Sequence, residues 1–303
     1  MKIAIMGAGA MGSLIGALLF EHGEDVILID PWEEHIKKIN DNGLVIESGS
    51  KKRLVPIKAF SGPKSLEKRD LVIFLVKSYD TYQSAKDALP IVDDNTFALT
   101  LQNGVGNVEI LESILGKGRV IVGTTSHGAT LLAPGMIRHA GKGPTYIGEI
   151  NGTISNRIKE IAKIFNNAGI DTEVSTEMEK LLWRKLIINI GINGLTALTG
   201  LKNGQLLKFP ETIYLMEKLI NEALEVASKK GIEFEEDMVK TVKDIAELTR
   251  ENRSSMGQDI DRKKRTEIDA INGAVIREAE KFGVNVDVNR TITYLIKTIE
   301  KNY

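Results

Sequence analysis

The chain has 303 residues, more than one ordinary hydrophobic core accommodates, and so points to two domains. Its 40 basic and 41 acidic residues leave a net charge of −1, which offers no footprint for nucleic acid or an anionic membrane. It has no cysteine, which excludes thiol catalysis, cysteine-ligated zinc and disulfides, and no other residues show metal-ligand spacing.

The first half alternates strand and helix signals. Residues 3–20 carry no charge, a length that could pass for a membrane span, but four glycines interrupt them and Glu21 closes them. A strand (KIAIM, 2–6), a glycine turn (GAGAMG, 7–12) and a helix over 13–22 explain the stretch better, and a cytoplasmic protein is expected. In this context Gly7 serves a tight turn, Gly9 the close approach of a pyrophosphate and Gly12 close helix–strand packing; Ala10 and Met11 complete the loop. The phosphates would sit on the helix N-terminus, where free N–H groups and the dipole favour negative charge.

A second strand, DVILID at 25–30, ends in an acid eighteen residues after Gly12, where a carboxylate binds an adenosine ribose. The other reading of Asp30 is an ordinary Asp-Pro turn. As a ribose ligand it would repel the 2′-phosphate of NADPH by roughly 4 kcal/mol per unit charge at 4 Å and an effective dielectric of 20, which favours NADH. Lys37 and Lys38 are the nearest residues that could compensate.

The apolar runs at 70–76 and 96–101 have the character of parallel strands buried on both faces. Their carboxyl ends, where ligands bind in open α/β sheets, carry Lys77 and Asn103, which places both beside the cofactor. Taken singly, each also reads as a solvated lysine and a plain Asn-Gly turn. Later strands are expected within 120–130 and 143–148, antiparallel to the rest, then a helix over 155–168 and a short strand at 171–174. His127 and His139 are acid–base candidates without a partner visible in the sequence.

The alternation stops after Ser175, and a domain boundary is expected near residue 173, giving domains 1–173 and 174–303. The second half reads as helices over roughly 176–193, 211–230, 235–250, 266–282 and 288–302, with Gly191 and Gly194 weakening the end of the first. That first helix, KLLWRKLIINIGIN at 180–193, is apolar around most of its circumference, as a buried helix is. Lys185, Asn189 and Asn193 interrupt it at i, i+4 and i+8 and share one stripe. A polar stripe facing water is the bland reading. A buried one demands partners, since an unpaired polar group costs roughly 2–7 kcal/mol and a charge more. Glu267 reads as a charge at the start of a helix, where it favours the dipole.

Jointly, GAGAMG at 7–12, VK at 76–77, QNGVG at 102–106, WRKLIIN at 183–189 with Asn193, NRSSMGQD at 252–259 and RTEIDAING at 265–273 resemble the ketopantoate reductase (2-dehydropantoate 2-reductase) family over nearly the whole chain. The resemblance implies an α/β fold, a Rossmann dinucleotide-binding domain followed by an all-helical domain, with the active site in the cleft between them. It implies reduction of ketopantoate to (R)-pantoate by NAD(P)H, with Lys185 as general acid and Glu267 assisting. Asn103, Asn189, Asn193, Asn203 and Ser255 match positions that hold substrate or cofactor, and Lys77 matches a lysine on the cofactor side. The family mostly uses NADPH, commonly with a basic residue after the second strand, and Asp30-Pro31-Trp32 departs from that pattern. Alternatives are a related dehydrogenase for another 2-oxo acid and a non-catalytic NAD(P)-binding sensor, which would need neither Lys185 nor Glu267. The long amphipathic helices of the second half would suit a homodimer.

Overall fold

The apolar runs of the first half are buried on both faces, which is what a parallel sheet covered by helices requires. The computed structural model describes residues 1–303. In chain order it has β1 (Lys2–Met6), α1 (Ala10–Glu21), β2 (Asp25–Ile29), α2 (Glu33–Asn42), β3 (Leu44–Ser48), β4 (Lys51–Val55), β5 (Lys58–Phe60), β6 (Leu71–Phe74), α3 (Thr81–Ala88), β7 (Phe97–Thr100) and α4 (Asn107–Leu115). There follow β8 (Val120–Thr125), β9 (Gly128–Ala133), β10 (Met136–Gly141), β11 (Thr145–Glu149), α5 (Asn156–Asn167) and β12 (Thr172–Val174). Then come only helices: α6 (Met178–Thr199), α7 (Pro210–Lys229), α8 (Met238–Leu248), α9 (Ser255–Asp261), α10 (Asn272–Phe282) and α11 (Asp287–Glu300).

Eight strands form the main sheet in the order β12-β11-β8-β7-β6-β1-β2-β5. All neighbours are parallel except β11 against β8, so the expected antiparallel strand is the one at 145–149. The chain runs outward from β1 through β2 on one side and resumes through β6 on the other. That reversal is the topological switch point at which open α/β sheets bind ligands beyond their carboxyl ends.

A second sheet, β4-β3-β10-β9, was not expected from the sequence. It explains α1, which packs against β1 and β2 on one side and against β9 and β10 on the other. A helix held between two sheets must be apolar nearly all round, and Leu14, Ile15, Ala17 and Leu19 are fully buried. The uncharged stretch 3–20 therefore reflects a helix with no wet face, and no helix of the protein is long and apolar enough to cross a membrane.

Two compact units result: Met1–Gln102 with Asn107–Met178, and Asn103–Gly106 with Glu179–Tyr303. The second is built on α6, whose Trp183, Leu186, Ile187 and Ile190 lie in one core with Leu219 and Ile220 of α7 and Val275 of α10. Gly191 and Gly194 do not weaken α6; the helix runs through both. A Cβ on Gly191 would come within 2.8 Å of Val242, and one on Gly194 within 2.6 Å of Ile292, so the glycines admit close neighbours. Trp183 is 2% exposed. Trp183→Ala should therefore cost about 3–5 kcal/mol of unfolding free energy, read as a lowered urea midpoint.

Two expectations are corrected here. The helix expected over 266–282 begins only at Asn272, and residues 267–271 form a turn, because the carbonyl of Glu267 accepts from the N–H groups of Ala270 (3.0 Å) and Ile271 (3.1 Å). Glu267 is therefore not a helix-start charge. The segment 252–265, expected to lack a helix, contains α9, capped by the Ser254 hydroxyl, which accepts from the N–H of Gly257 at 2.9 Å.

Candidate active site

The glycine loop joins β1 to α1, and its three glycines do different work. Gly7 has φ +97°, and a Cβ there would lie 2.6 Å from the backbone nitrogen of Val76. A Cβ on Gly12 would strike the Gly7 carbonyl oxygen at 1.8 Å, so that glycine lets the helix press on its own turn. Gly9 faces open space, with nothing within 4 Å of an added Cβ. Gly9 is also the N-cap of α1 and supplies no side-chain cap. Ala10 and Met11 follow it as the first, half-buried helical residues. A half-buried glycine with open space beside it, at the head of a buried helix, fits a dinucleotide pyrophosphate, which needs close approach and unspent N–H groups.

Asp30 follows β2 at the same end of the sheet, half-buried, its N–H donating to the carbonyl of Phe60 at 3.1 Å. Its Oδ1 accepts the N–H of Trp32 at 3.0 Å. The Asp-Pro turn is thus real, and it occupies one carboxylate oxygen while leaving the other. Lys77, half-buried, follows β6 and leads into a short 3-10 turn, Ser78–Asp80.

Gln102, which carried no expectation, organises these strand ends. Its Nε2 donates to the Val76 carbonyl (3.0 Å) and to the Thr81 hydroxyl (2.8 Å), and its Oε1 accepts from the Thr100 hydroxyl (2.9 Å). Thr81 in turn donates to Oδ1 of Asn107 at 2.9 Å. The only signal for Gln102 was its place in the QNGVG stretch, beside the more conspicuous Asn103. His127 and His139 prove to be each other's partners, Nδ1 to Nε2 at 3.2 Å with rings stacked 5.4 Å apart. Burial, more than any neighbouring charge, pushes both below the ordinary imidazole range.

In the second unit the stripe on α6 does not face water. Lys185 and Asn189 are partly buried, and Asn193 is 5% exposed. Burial pulls Lys185 down from the usual lysine range to about 8, while the charge of Glu267 draws it back up. The other cations of the helix sit differently. Lys180 donates to both oxygens of Glu235 at 2.8 Å, and Arg184 to those of Glu236 at 2.6 and 3.1 Å.

Glu267 is 6% exposed and accepts from Nδ2 of Asn103 at 3.4 Å. The loop that carries Asn103 packs on the turn after Glu267: Val105 donates to the Ala270 carbonyl at 3.3 Å, and a Cβ on Gly104 would meet that oxygen at 2.4 Å. Asn103, Lys185 and Glu267 therefore form one group.

Asn203, 7% exposed, donates from Nδ2 to the Thr249 hydroxyl at 2.9 Å, while its Oδ1 is buried without a partner. Its backbone N–H donates to the carbonyl of Asn252 at 3.0 Å, which ties it to the segment leading to Ser255. Ser255 itself is exposed at the first position of α9. Two further residues hold that segment on α6. The hydroxyls of Ser254 and Thr196 are 2.6 Å apart, and Arg253 donates to the carbonyls of Thr196 and Leu201 while pairing with Asp261 at 2.8 Å. Arg253 and Ser254 both fall in the NRSSMGQD stretch at 252–259, but only Ser255 of that stretch carried an expected role.

The family model "Ketopantoate reductase PanE/ApbA" matches residues 3–152, and "Ketopantoate reductase PanE/ApbA C terminal" matches 177–300. The chain is 40% identical over 300 residues to the 2-dehydropantoate 2-reductase of Pyrococcus horikoshii, covering 99% of this chain and 98% of that one. It is 38% identical over 301 residues to that of Archaeoglobus fulgidus, covering 99% and 98%. Among solved structures it resembles a PanE/ApbA family ketopantoate reductase from Ralstonia eutropha JMP134, with TM-score 0.93, 35% identity and coverage of 100% and 99%. It also resembles D-mandelate dehydrogenase bound to NADH and anilino(oxo)acetate, with TM-score 0.94, 29% identity and coverage of 100% and 99%.

Fold and matches together define an NAD(P)-dependent oxidoreductase with a Rossmann-type unit and a helical C-terminal unit. The chain belongs to the ketopantoate reductase family.

Proposed function

We propose that this protein reduces 2-dehydropantoate to (R)-pantoate with NAD(P)H, a step towards pantothenate and coenzyme A, and that Lys185 donates the proton. The observation that carries the reading is a lysine brought to a pKa of about 8 on a partly buried helix, with a buried carboxylate, Glu267, acting on it. A nicotinamide held by this protein would supply the hydride that C2 of the oxo acid requires. Lys185 gives its proton to the carbonyl oxygen as the alkoxide develops, and the resulting neutral amine is reprotonated from solvent. Asn189, Asn193, Asn203, Ser255 and Asn103 orient the substrate carboxylate and hydroxyl without adding net charge. The partnerless Oδ1 of Asn203 is an acceptor suited to such a hydroxyl.

On the cofactor side, Gly7, Gly9, Ala10, Met11 and Gly12 would hold the pyrophosphate and Asp30 the adenosine ribose, with Lys77 and Asn103 as further cofactor ligands. Asp30 has an oxygen to spare for a ribose hydroxyl and would repel a 2′-phosphate, so we assign NADH as the preferred cofactor. A proton donor must be charged to act. The turnover number should therefore fall as pH rises through about 8. Glu267→Gln removes the charge that favours protonated Lys185 and should move that alkaline limb to lower pH, measured as the pH dependence of kcat.

A second reading keeps the scaffold and changes the 2-oxo acid. It is favoured by the likeness to D-mandelate dehydrogenase bound to NADH. Oxidation of NADH and of NADPH followed at 340 nm across a 2-oxo acid panel separates the two. Highest kcat/KM for ketopantoate supports the first reading, and a higher value for another 2-oxo acid supports the second. No turnover with any member removes both.

A further inference from the structure

His35 belongs to neither the acid–base group nor the glycine loop, yet it is fully buried and touches both halves of the dinucleotide cradle and the second sheet. Its Nδ1 lies 2.9 Å from the backbone nitrogen of Gly135, in the turn between β9 and β10. A backbone N–H can only donate, so Nδ1 must accept and the ring proton sits on Nε2. Nε2 faces the Ser13 hydroxyl at 3.4 Å, and that hydroxyl donates to the carbonyl of Ala8, inside the glycine loop, at 2.7 Å. The imidazole also stacks on Trp32, with centroids 5.1 Å apart and planes 9° from parallel. The backbone N–H of Trp32 fixes the carboxylate of Asp30.

We propose that His35 is the positioning residue of the dinucleotide site: one neutral ring sets the glycine loop through Ser13 and the ribose-side turn through Trp32, and anchors both to the second sheet through Gly135. The reason is geometric. The pyrophosphate loop and the ribose carboxylate lie on different strands, and a dinucleotide binds tightly only if their spacing is fixed in advance. His35, fully buried, bridges them from within the fold. Burial disfavours the charged ring more than the nearby Asp30 charge and the Ala8 backbone favour it, which is consistent with the single Nε2 proton that the contacts require. The inference rests on the dinucleotide occupying the glycine loop as proposed above.

The test is direct NADH binding to the cofactor-free protein by calorimetry, with KM for the oxo acid measured in parallel. His35→Phe keeps the ring stack on Trp32 and loses both polar links; it should weaken NADH binding about tenfold and leave the KM for the oxo acid unmoved. His35→Gln, whose amide can donate towards Ser13, should recover part of the loss. Ser13→Ala should weaken binding too, and adding it to His35→Phe should cost less than the sum of the two, because the links lie in series. Should His35→Phe fail to fold, His35→Gln and nitrogen-15 spectra of the wild-type imidazole still decide the matter, since protonated Nδ1 would overturn the inference. Unchanged NADH affinity in folded His35→Phe, or an equal rise in both constants, would also overturn it. Wild-type protein that binds neither NADH nor NADPH would instead sink the proposed function.

Discussion

Replacing Lys185 with alanine is expected to lower kcat on the order of 10²–10⁴-fold, with the KM for the oxo acid changing much less. The residue supplies a proton needed mainly as negative charge develops on the carbonyl oxygen, so its loss falls on the transition state rather than on binding. The variant should also lose the decline in activity above pH 8, because the group that titrates there is gone. Steady-state kinetics over pH 6–10 check both points, and an unchanged kcat would remove Lys185 from the role.

The same pKa bears on stability. In the folded chain Lys185 is lowered to about 8 from 10.5, so between those values the unfolded chain binds more protons. Stability should accordingly rise with pH across that window, from the side on which burying the ammonium costs most. Wild-type protein should show this rise in urea midpoints, and Lys185→Ala should lack this contribution.

The second large effect concerns cofactor choice. Wild-type protein is expected to favour NADH, and Asp30→Asn to narrow the NADH-to-NADPH ratio of kcat/KM by about a hundredfold. The full repulsion of roughly 4 kcal/mol at 4 Å would be worth nearly three decades, and salt screening near the surface reduces it. Asparagine keeps an oxygen that can accept the N–H of Trp32, so the turn survives and only the charge is removed. Wild-type preference for NADPH would sink the argument from Asp30 and leave the family untouched.

Much of this protein was legible from local pattern. The GAGAMG loop between a strand and a helix, the acid at the tip of the second strand and the helical second half each depend on residues close in sequence, and the structure shows them as expected. Lys185, Asn189 and Asn193 could be aligned in advance because helical spacing alone puts them on one stripe. Whether that stripe faced water could not be decided locally, since burial depends on what packs against a helix. Glu267 shows the same limit: its charge suited a helix start, but its backbone forms a turn that carries it to Asn103, 164 positions away.

The groups that hold the candidate sites in place were the least visible. Gln102, Arg253 and His35 act through hydrogen bonds to backbone atoms far along the chain, and Ser254 through its hydroxyl against that of Thr196, 58 positions away. Such bonds leave no periodic trace, because a carbonyl or N–H accepts or donates whatever side chain it belongs to. The sequence by itself determined most of the element types, the order of the two kinds of architecture and which residues are candidates for acid–base chemistry. Only the tertiary structure decided which of those residues are buried, what pKa that burial gives Lys185, and which distant backbone groups hold them, because desolvation and long-range hydrogen bonding exist only once the chain has packed.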